Sequence, residues 1–297
     1  MSNINRRDML KHTGLAAASL SAGLTALPWQ IKVTDEALPG GLSSGISHSA
    51  CRWCYNDIPL ESLCQSAKAV GVSSIELIGP DEWPIVQKYG MTCAMGMAQP
   101  KSFGITKGFN RLENHDTLVE FYEDLIPKAA AAGIKQVICF SGNRNGLDDE
   151  LGIQICAVGL KRVMKTAEKH GIIVSMELLN SKVDHHDYQC DRTPWGVELC
   201  KAIGSEQFKL LYDIYHMQIM EGDVIHTITD AAAYISHFHT GGVPGRAEID
   251  DTQELNYPAI ARAIAATGYK GFIAQEFMPA KSDKIASLKQ GVQLCTV

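Results

Sequence analysis

The stretch Lys169-His-Gly-Ile-Ile-Val-Ser-Met-Glu177 holds a helix end, a glycine and a short apolar run that closes on an acid. A glycine in this place is a helix C-terminal signal. The apolar run that follows is typical of a parallel strand buried on both faces. The same order of helix, glycine and strand recurs at Gly71, Gly133 and Gly268. The repeat predicts helices that alternate with parallel strands.

The repeat also sets the expected number of strands. Apolar runs predict eight of them, at residues 45–48, 74–78, 92–97, 136–140, 172–178, 209–213, 235–240 and 271–276. Helical patterns with one apolar face lie between them, at 59–70, 83–89, 114–132, 149–170, 194–203, 223–233, 257–266 and 282–294. Eight strand–helix units over about 250 residues predict an α/β fold of the (β/α)8 TIM-barrel class. An open doubly wound sheet is the alternative, but no Gly-x-Gly-x-x-Gly follows the first strand.

Composition limits the kinds of protein that the chain can be. Of 297 residues, 45% are hydrophobic and 20% charged, which excludes a disordered chain, a collagen-like repeat and a coiled coil. The formal net charge is −6 and no basic tract is present, so nucleic acid is not expected as a partner. Nine cysteines are too few and odd in number for a disulfide framework.

The amino-terminal segment has the pattern of an export signal. Arg6 and Arg7 precede a weakly apolar run at 13–27, and paired arginines before such a run resemble a twin-arginine signal. The run is too short and too polar for a stable membrane span; a disordered or amphipathic terminus is the alternative. We therefore expect a twin-arginine-type signal segment and linker at 1–43, a single TIM-barrel catalytic domain at 44–297, and a periplasmic or otherwise exported protein.

Four predicted strands end in, or next to, a side chain that can bind a metal ion. Glu177 ends the fifth strand, Asp213 the sixth and Glu276 the eighth, and His239 lies near the end of the seventh. In such a barrel the carboxyl ends of all strands open on one face. Three carboxylates and one imidazole suit a divalent ion such as Mg²⁺ or Mn²⁺. The alternative for each acid is helix capping or simple exposure to solvent.

Nearby residues are candidates for binding a substrate. His216 follows Asp213 by three positions, and Arg246 ends the glycine-rich loop 239–246 and offers a fork for paired oxygens. A surface loop charge is the alternative for Arg246. Trp53 follows the first strand and either walls the pocket or packs in the core. Glu254 either contacts substrate or caps the helix at 257–266.

Other polar features have simpler interpretations. His237 shares the strand face of His239 and is interpreted as a packed barrel residue. Cys51-Arg-Trp-Cys54 lacks a thioredoxin-like setting and a second Cys-x-x-Cys, so redox and zinc roles are disfavoured, while a disulfide stays open. The long loop at 177–188 is expected to cover the barrel mouth. Arg144 contacts either substrate or only its loop.

Two local motifs resemble a known family. The run Asp213-Ile-Tyr-His-Met-Gln-Ile-Met-Glu-Gly-Asp223 resembles a segment of hydroxypyruvate isomerases. Gly241-Gly-Val-Pro-Gly-Arg246 and Glu254-Leu-Asn-Tyr257 are similar to that family's Pro-Gly-Arg and Glu-Ile-Asn-Tyr segments. The resemblance covers roughly residues 45–280. The wider group is the xylose isomerase-like barrels, which include ketose 3-epimerases and endonuclease IV-type enzymes.

The resemblance implies roles for the candidate residues. Glu177, Asp213, His239 and Glu276 would hold one divalent metal, and the two glutamates would also be the acid/base pair. His216 and Arg246 would bind substrate oxygens. One position departs from the pattern, because hydroxypyruvate isomerases have Gln where this chain has His239, whereas ketose 3-epimerases have His.

The expected function is therefore a metal-dependent isomerase of sugars or keto acids that works through an enediolate. Hydroxypyruvate, converted to tartronate semialdehyde, is the favoured substrate, and the expected partner is a small molecule. The alternatives are a ketose 3-epimerase and a non-catalytic exported sugar-binding barrel. An endonuclease is disfavoured by the acidic charge. The oligomeric state is open, with a homo-oligomer as one alternative.

Overall fold

The computed structural model describes residues 45–101 and 103–297. The predicted signal segment and linker at 1–43 lie outside the described residues, and they remain a prediction.

The described chain contains seven regular strands, all parallel to their neighbours. They are β1 (Ser47–Cys51), β2 (Ser74–Glu76), β3 (Gln136–Cys139), β4 (Ile173–Glu177), β5 (Phe208–Asp213), β6 (Ile235–Thr240) and β7 (Phe272–Gln275). Their order in the sheet is β2-β1-β7-β6-β5-β4-β3. The two outer strands, β2 and β3, are not paired with each other within this order.

The strand predicted at 92–97 is not a regular strand, so that part of the prediction is wrong. Its backbone nevertheless lies between β2 and β3, where Thr92 bridges Ser74 and Gly96 bridges both Ile78 and Val137 in parallel. The ladder is interrupted because the N–H of Ala94 donates to the side-chain oxygen of Ser74, at 2.8 Å, instead of to a backbone carbonyl. The segment closes the barrel at the eighth position, and the predicted (β/α)8 TIM barrel is confirmed.

Helices follow most of the strands. They are α1 (Leu60–Ala69), α2 (Trp83–Lys88), α3 (His115–Ala131), α4 (Asp149–His170), α5 (Thr193–Ile203), α6 (Ile214–Met220), α7 (Val224–Ala231), α8 (Tyr257–Ala266) and α9 (Lys284–Cys295). Short 3-10 turns lie at Arg52–Tyr55, Leu112–Asn114 and Ala232–Tyr234. Helix α4 shows why such elements begin and end where they do. Asp148 accepts the N–H groups of Glu150 and Leu151 at its start, and Gly171 ends it with φ of 64°.

Strand side chains are buried on both faces, against the helices outside and against each other inside the barrel. Within residues 45–101 and 103–297, no helix is both long and apolar enough to cross a membrane.

Candidate metal and substrate site

The four predicted metal ligands lie together at the carboxyl-terminal end of the barrel. Glu177 and Asp213 are the last residues of β4 and β5, His239 is the next-to-last residue of β6, and Glu276 directly follows β7. One ligand atom from each falls within 4.8 Å of the other three. Each residue is at most 4% exposed. Residues nearly a hundred positions apart therefore share one small volume.

His239 lies between the two glutamates of this cluster. Its Nδ1 is 2.8 Å from Oε2 of Glu276 and 3.4 Å from Oε1 of Glu177. The same buried Oε1 of Glu177 has no hydrogen-bond partner among the residues that the structure describes. A buried carboxylate oxygen without a partner is costly unless a cation or a ligand completes it.

The charges of the cluster are out of balance. Burial raises the pKa of Asp213 well above its ordinary value, and burial followed by repulsion from Glu276 raises the pKa of Glu177. For Glu276, burial opposes ionisation, but Arg246 and His239 outweigh it and hold its pKa well below the usual range. The cluster thus holds more carboxyl groups than its own cations can keep ionised, and the excess groups retain protons. An oxygen-rich donor set in this condition fits a hard divalent cation.

Arg246 lies inside this cluster, so its interpretation as a surface loop charge is wrong. Its Nη2 is 2.6 Å from Oε2 of Glu276 and 3.1 Å from Oδ2 of Asp213. The guanidinium carbon lies 5.2 Å from the ring centres of both Trp53 and Tyr215. Its buried Nε has no hydrogen-bond partner in the described ranges. Arg246 therefore keeps one donor for a ligand.

The glycine-rich loop brings Arg246 into place. The N–H of Arg246 donates to the carbonyl of Gly242 at 2.8 Å, and its own carbonyl accepts the N–H of Met278 at 2.7 Å. A Cβ at Gly242 would lie 2.3 Å from the carbonyl oxygen of Glu248, so only glycine allows this turn.

Trp53 forms part of the pocket wall, as one of its two interpretations predicted. It lies in the 3-10 turn after β1, and its Nε1 donates to Oε1 of Glu276 at 2.8 Å. The cavity beside it has a volume of about 300 Å³, which suits a small molecule. Polar lining comes from Glu177, His185, Arg246 and Glu276, and apolar lining from Leu77, Met97, Ile105, Ile138, Phe140 and Leu179.

His216 offers a neutral hydrogen-bond donor to the same site. Its Nδ1 is 2.7 Å from the side-chain amide nitrogen of Asn180, so Nδ1 accepts and Nε2 carries the proton. That Nε2 is 3.5 Å from Oδ2 of Asp213 and has no hydrogen-bond partner within the described part of the chain. Burial, with the nearby Arg246 charge, lowers the pKa of His216 well below its ordinary value.

Asp213 caps a helix, as its alternative interpretation predicted, and it also lies in the cluster; its role as a metal ligand stays a prediction. Its Oδ1 caps α6 by accepting the N–H of His216 at 3.2 Å, and its Oδ2 faces Arg246 and the cluster. The short helix α6 starts directly at the strand end, which is why His216 reaches the site.

One functional candidate was missed by sequence analysis. Glu76 ends β2, and its Oε1 lies 2.8 Å from Nε2 of His237 and 2.8 Å from Nε2 of His239. All three side chains are fully buried. Burial opposes ionisation of Glu76, but the two imidazoles hold its pKa at about 2. An acid inside the otherwise apolar run at 74–78 was the signal that could have found it. The packed position expected for His237 agrees with this contact.

Glu254 lies apart from the cluster. It is exposed, and its Oε1 accepts from Nε2 of Gln218 at 3.0 Å. The interpretation of Glu254 as a helix cap is wrong, because Asn256 caps α8 by accepting the N–H of Ala259 at 3.1 Å. The cavity lining described above does not include Glu254, and its contact with substrate stays a prediction.

The loop after β4 covers the edge of the site, as expected. Asp184 accepts from Tyr215 at 2.8 Å, and Lys182 donates to the carbonyl of Met220 at 2.9 Å, so both fasten the loop to α6. His185 on this loop lines the cavity.

Arg144 lies in the loop that follows β3 and forms ion pairs with acids of the protein itself. This agrees with the interpretation that does not involve substrate. Its Nη2 is 2.8 Å from Oδ1 of Asp191 and its Nε is 2.9 Å from Oδ1 of Asp149. The cysteines take no part in disulfides: all nine lie in the described ranges and are free and buried. Burial raises the pKa of both Cys51 and Cys54, which gives neither a reactive thiolate.

Comparison with known proteins places the chain in a family. Residues 83–294 match the family model described as the xylose isomerase-like TIM barrel. This match covers well over half of the chain, so the chain belongs to the xylose isomerase-like TIM barrel family.

Curated relatives carry isomerase names, which agrees with the enzyme class predicted from the sequence. A 2-oxo-tetronate isomerase of Cupriavidus necator is 37% identical over 38% of this chain and 43% of its own length. The hydroxypyruvate isomerase of Escherichia coli is 30% identical over 51% of this chain and 58% of its own. A 2-oxo-tetronate isomerase of Pectobacterium atrosepticum is 24% identical over 76% and 88%. The first two matches thus span about half of those relatives.

Solved structures share the fold. An AP endonuclease of family 2 from Brucella melitensis has a TM-score of 0.73 at 21% identity, covering 83% of this chain and 97% of that one. An L-ribulose 3-epimerase has a TM-score of 0.69 at 17% identity, covering 84% and 92%. At these identities the likeness shows the barrel alone.

Proposed function

We propose that this chain is a metal-dependent isomerase of short α-hydroxy keto acids, with hydroxypyruvate as the favoured substrate and tartronate semialdehyde as the product. The observation that carries the proposal is the convergence of Glu177, Asp213, His239 and Glu276 within 4.8 Å, beside a cavity of about 300 Å³. The isomerase names of the curated relatives support the class of reaction.

These four side chains would hold one Mg²⁺ or Mn²⁺ ion. The bound ion would polarise the substrate carbonyl and stabilise the negative charge that develops when a proton leaves the neighbouring carbon. The unpartnered oxygen of Glu177 and the raised pKa of Asp213 are the features that such a cation would relieve.

The two glutamates are suited to different parts of the proton transfer. Glu276 is held by three donors, from Trp53, His239 and Arg246, and its carboxylate is fixed in place. Glu177 has a raised pKa and an oxygen without a hydrogen bond, which suits a group that takes and returns a proton. Glu177 removes the proton from one carbon to give an enediolate, the hydroxyl proton passes from the oxygen on that carbon to the oxygen on the neighbouring carbon, and either Glu177 or Glu276 returns a proton to the neighbouring carbon.

Substrate oxygens would be bound by His216 and Arg246. His216 donates from its free Nε2, and Arg246 donates from its free Nε while Nη2 stays on Glu276. A carboxylate on the substrate is the natural partner for a guanidinium. The apolar side of the cavity offers no donors to the hydroxyl groups of a long sugar, which favours a short keto acid.

A ketose 3-epimerase is the second candidate. It is favoured by His239, because ketose 3-epimerases have a histidine at this ligand position. A D-psicose 3-epimerase of Ruminiclostridium cellulolyticum is 31% identical over 39% of this chain. Return of the proton to the opposite face of the same carbon would give this outcome.

The test is a product analysis with the metal-loaded protein. The protein is incubated with Mg²⁺ or Mn²⁺ and with hydroxypyruvate, 2-oxo-tetronate or a panel of free ketoses, and products are identified by NMR. Tartronate semialdehyde from hydroxypyruvate supports the proposal. Epimer formation without turnover of either keto acid favours the epimerase. Metal and sugar binding without any product would leave a non-catalytic sugar-binding barrel.

We also propose that residues 1–43 direct export by the twin-arginine route. Arg6 and Arg7 before the weakly apolar run support this. The segment is fused to a reporter that functions only after export in the folded state. Export that is lost when both arginines become lysine agrees with the proposal, and export that is unchanged contradicts it.

A further inference from the structure

The carboxylate of Glu76 comes from a strand that does not neighbour the strand of His239. It ends β2, whereas His237 and His239 lie on β6, and β1 and β7 separate these strands in the sheet. One oxygen, Oε1, receives both imidazole Nε2 atoms at 2.8 Å. The contact therefore depends on side chains that cross the interior of the barrel.

This contact determines which nitrogen of His239 faces the site. A carboxylate accepts hydrogen bonds and donates none, so the Nε2 that meets Glu76 must carry a proton. The other nitrogen, Nδ1, points at Glu276 and Glu177, at 2.8 Å and 3.4 Å. In the metal-free protein Nδ1 donates to Glu276, and when an incoming cation displaces this proton, the lone pair of Nδ1 faces the metal candidates while Nε2 keeps its proton against Glu76.

His237 has a matching part in the arrangement. Its Nε2 supplies the second donor to the same Oε1, and its Nδ1 has no hydrogen-bond partner in the part of the chain described. The ring of His237 meets that of His239 edge-on, with centroids 5.2 Å apart. Two donors on one oxygen leave the Glu76 carboxylate little freedom to turn.

We propose that Glu76 is a positioning residue, which with His237 fixes the ring and tautomer of His239 so that Nδ1 is presented as a metal ligand. Carboxylates that hold the far nitrogen of a ligating histidine are a general device for orienting and strengthening that ligand. The inference rests on the metal site of the proposed function, but it does not depend on which substrate is turned over.

The first experiment observes the tautomer directly. Long-range ¹H–¹⁵N spectra of the Mg²⁺-loaded protein, labelled at histidine, distinguish a protonated Nε2 from a protonated Nδ1. The resonances of His239 are assigned with the His239→Gln variant. We expect His239 to carry its proton on Nε2. A proton on Nδ1 of the Mg²⁺-loaded wild-type protein would overturn the proposal, whatever the variants do.

The second experiment measures metal binding by calorimetry for Glu76→Gln and His237→Gln. Glu123→Gln is the matched control, since Glu123 is an exposed acid on α3 and belongs neither to the cluster nor to the cavity lining. We expect Glu76→Gln to weaken Mn²⁺ binding by about 10- to 100-fold and His237→Gln to weaken it less, with the control unchanged. In Glu76→Gln, the spectra should show His239 in mixed tautomers. If Glu76→Gln does not fold, His237→Gln and the wild-type spectra decide the question.

The outcomes separate this inference from the proposed function. A wild-type protein that binds no divalent ion contradicts the metal site itself. A wild-type protein that binds one ion, with Glu76→Gln binding equally well and His239 unchanged in tautomer, contradicts only the positioning role. Two ions in the wild type, of which Glu76→Gln loses one, would make Glu76 a ligand of a second metal and would also overturn the proposal.

Discussion

The Nη2 atom of Arg246 lies 2.6 Å from Oε2 of Glu276, and the same oxygen lies 2.8 Å from Nδ1 of His239. One carboxylate oxygen therefore receives two cationic or donating groups in a buried setting. This explains why the pKa of Glu276 is lowered despite burial, while those of Glu177 and Asp213 are raised. The three acids of one site are thus prepared for different tasks.

Arg246→Lys should raise the KM for hydroxypyruvate by about 10- to 100-fold, because the ammonium keeps the charge but loses the fork that serves Glu276 and a carboxylate together. For a neutral ketose, which has no carboxylate, the KM should rise much less. Steady-state kinetics with both substrates measure the difference. An equal rise in KM for the keto acid and for the neutral ketose would mean that Arg246 acts only on the protein's own acids.

Glu177→Gln should lower kcat by about 10²- to 10⁴-fold, because the amide cannot take the proton from carbon. Circular dichroism should show an intact fold. Glu276→Gln should also lower kcat. It should in addition weaken the hydrogen bonds that Trp53 and Arg246 make to this side chain. The thermal stability of Glu276→Gln should therefore fall further than that of Glu177→Gln. Near-normal turnover in both variants would remove the acid/base assignment.

Metal binding should strengthen as pH rises and should release protons. Asp213 and Glu177 have raised pKa values, so the metal-free protein holds protons that a cation must displace. Because the pKa values of Asp213 and Glu177 are raised in the folded protein, their protonated carboxyl groups stabilise the metal-free fold at low pH. This contribution to stability is lost as pH rises through the raised pKa values. Calorimetry in two buffers of different ionisation enthalpy counts the protons. Binding without proton release would contradict this balance of charges.

Gly159→Ala should lower the free energy of unfolding by about 1 kcal/mol or more. A Cβ at this position of α4 would lie 2.8 Å from the ring of His115 on α3, whose Nε2 is bonded to the carbonyl of Phe109 at 2.8 Å. The added methyl group must displace that ring. The control is Val158→Ala, next to it and 54% exposed, which should change stability by less than about 0.5 kcal/mol. Denaturant unfolding of both variants makes the comparison, and equal stabilities would contradict the packing argument.

Sequence patterns predicted the barrel because buried parallel strands and glycine-ended helices leave clear periodic signals. They failed at 92–97, where the Ser74 hydroxyl takes the place of a ladder carbonyl, a tertiary contact that no local pattern shows. They also missed helix α6, because it begins directly after β5 at Ile214 without a linker.

The candidate ligands could be predicted because each ends, or nearly ends, a strand, and strand ends meet by topology alone. Glu76 could not be recognised in the same way. The run at 74–78 continues as apolar sequence beyond it, and its partners, His237 and His239, are more than 160 positions away. The burial of Arg246 likewise depends on the turn that Gly242 permits.

The most direct test of the central claim is the fate of carbon-bound hydrogen. Metal-loaded protein converts hydroxypyruvate in deuterated water, and NMR measures deuterium at carbon in the product and in recovered substrate. Proton transfer by Glu177 predicts deuterium uptake with the wild-type protein and none above background with Glu177→Gln. Deuterium uptake that is equal in the wild-type protein and in Glu177→Gln, or the absence of both product and exchange, would contradict the account.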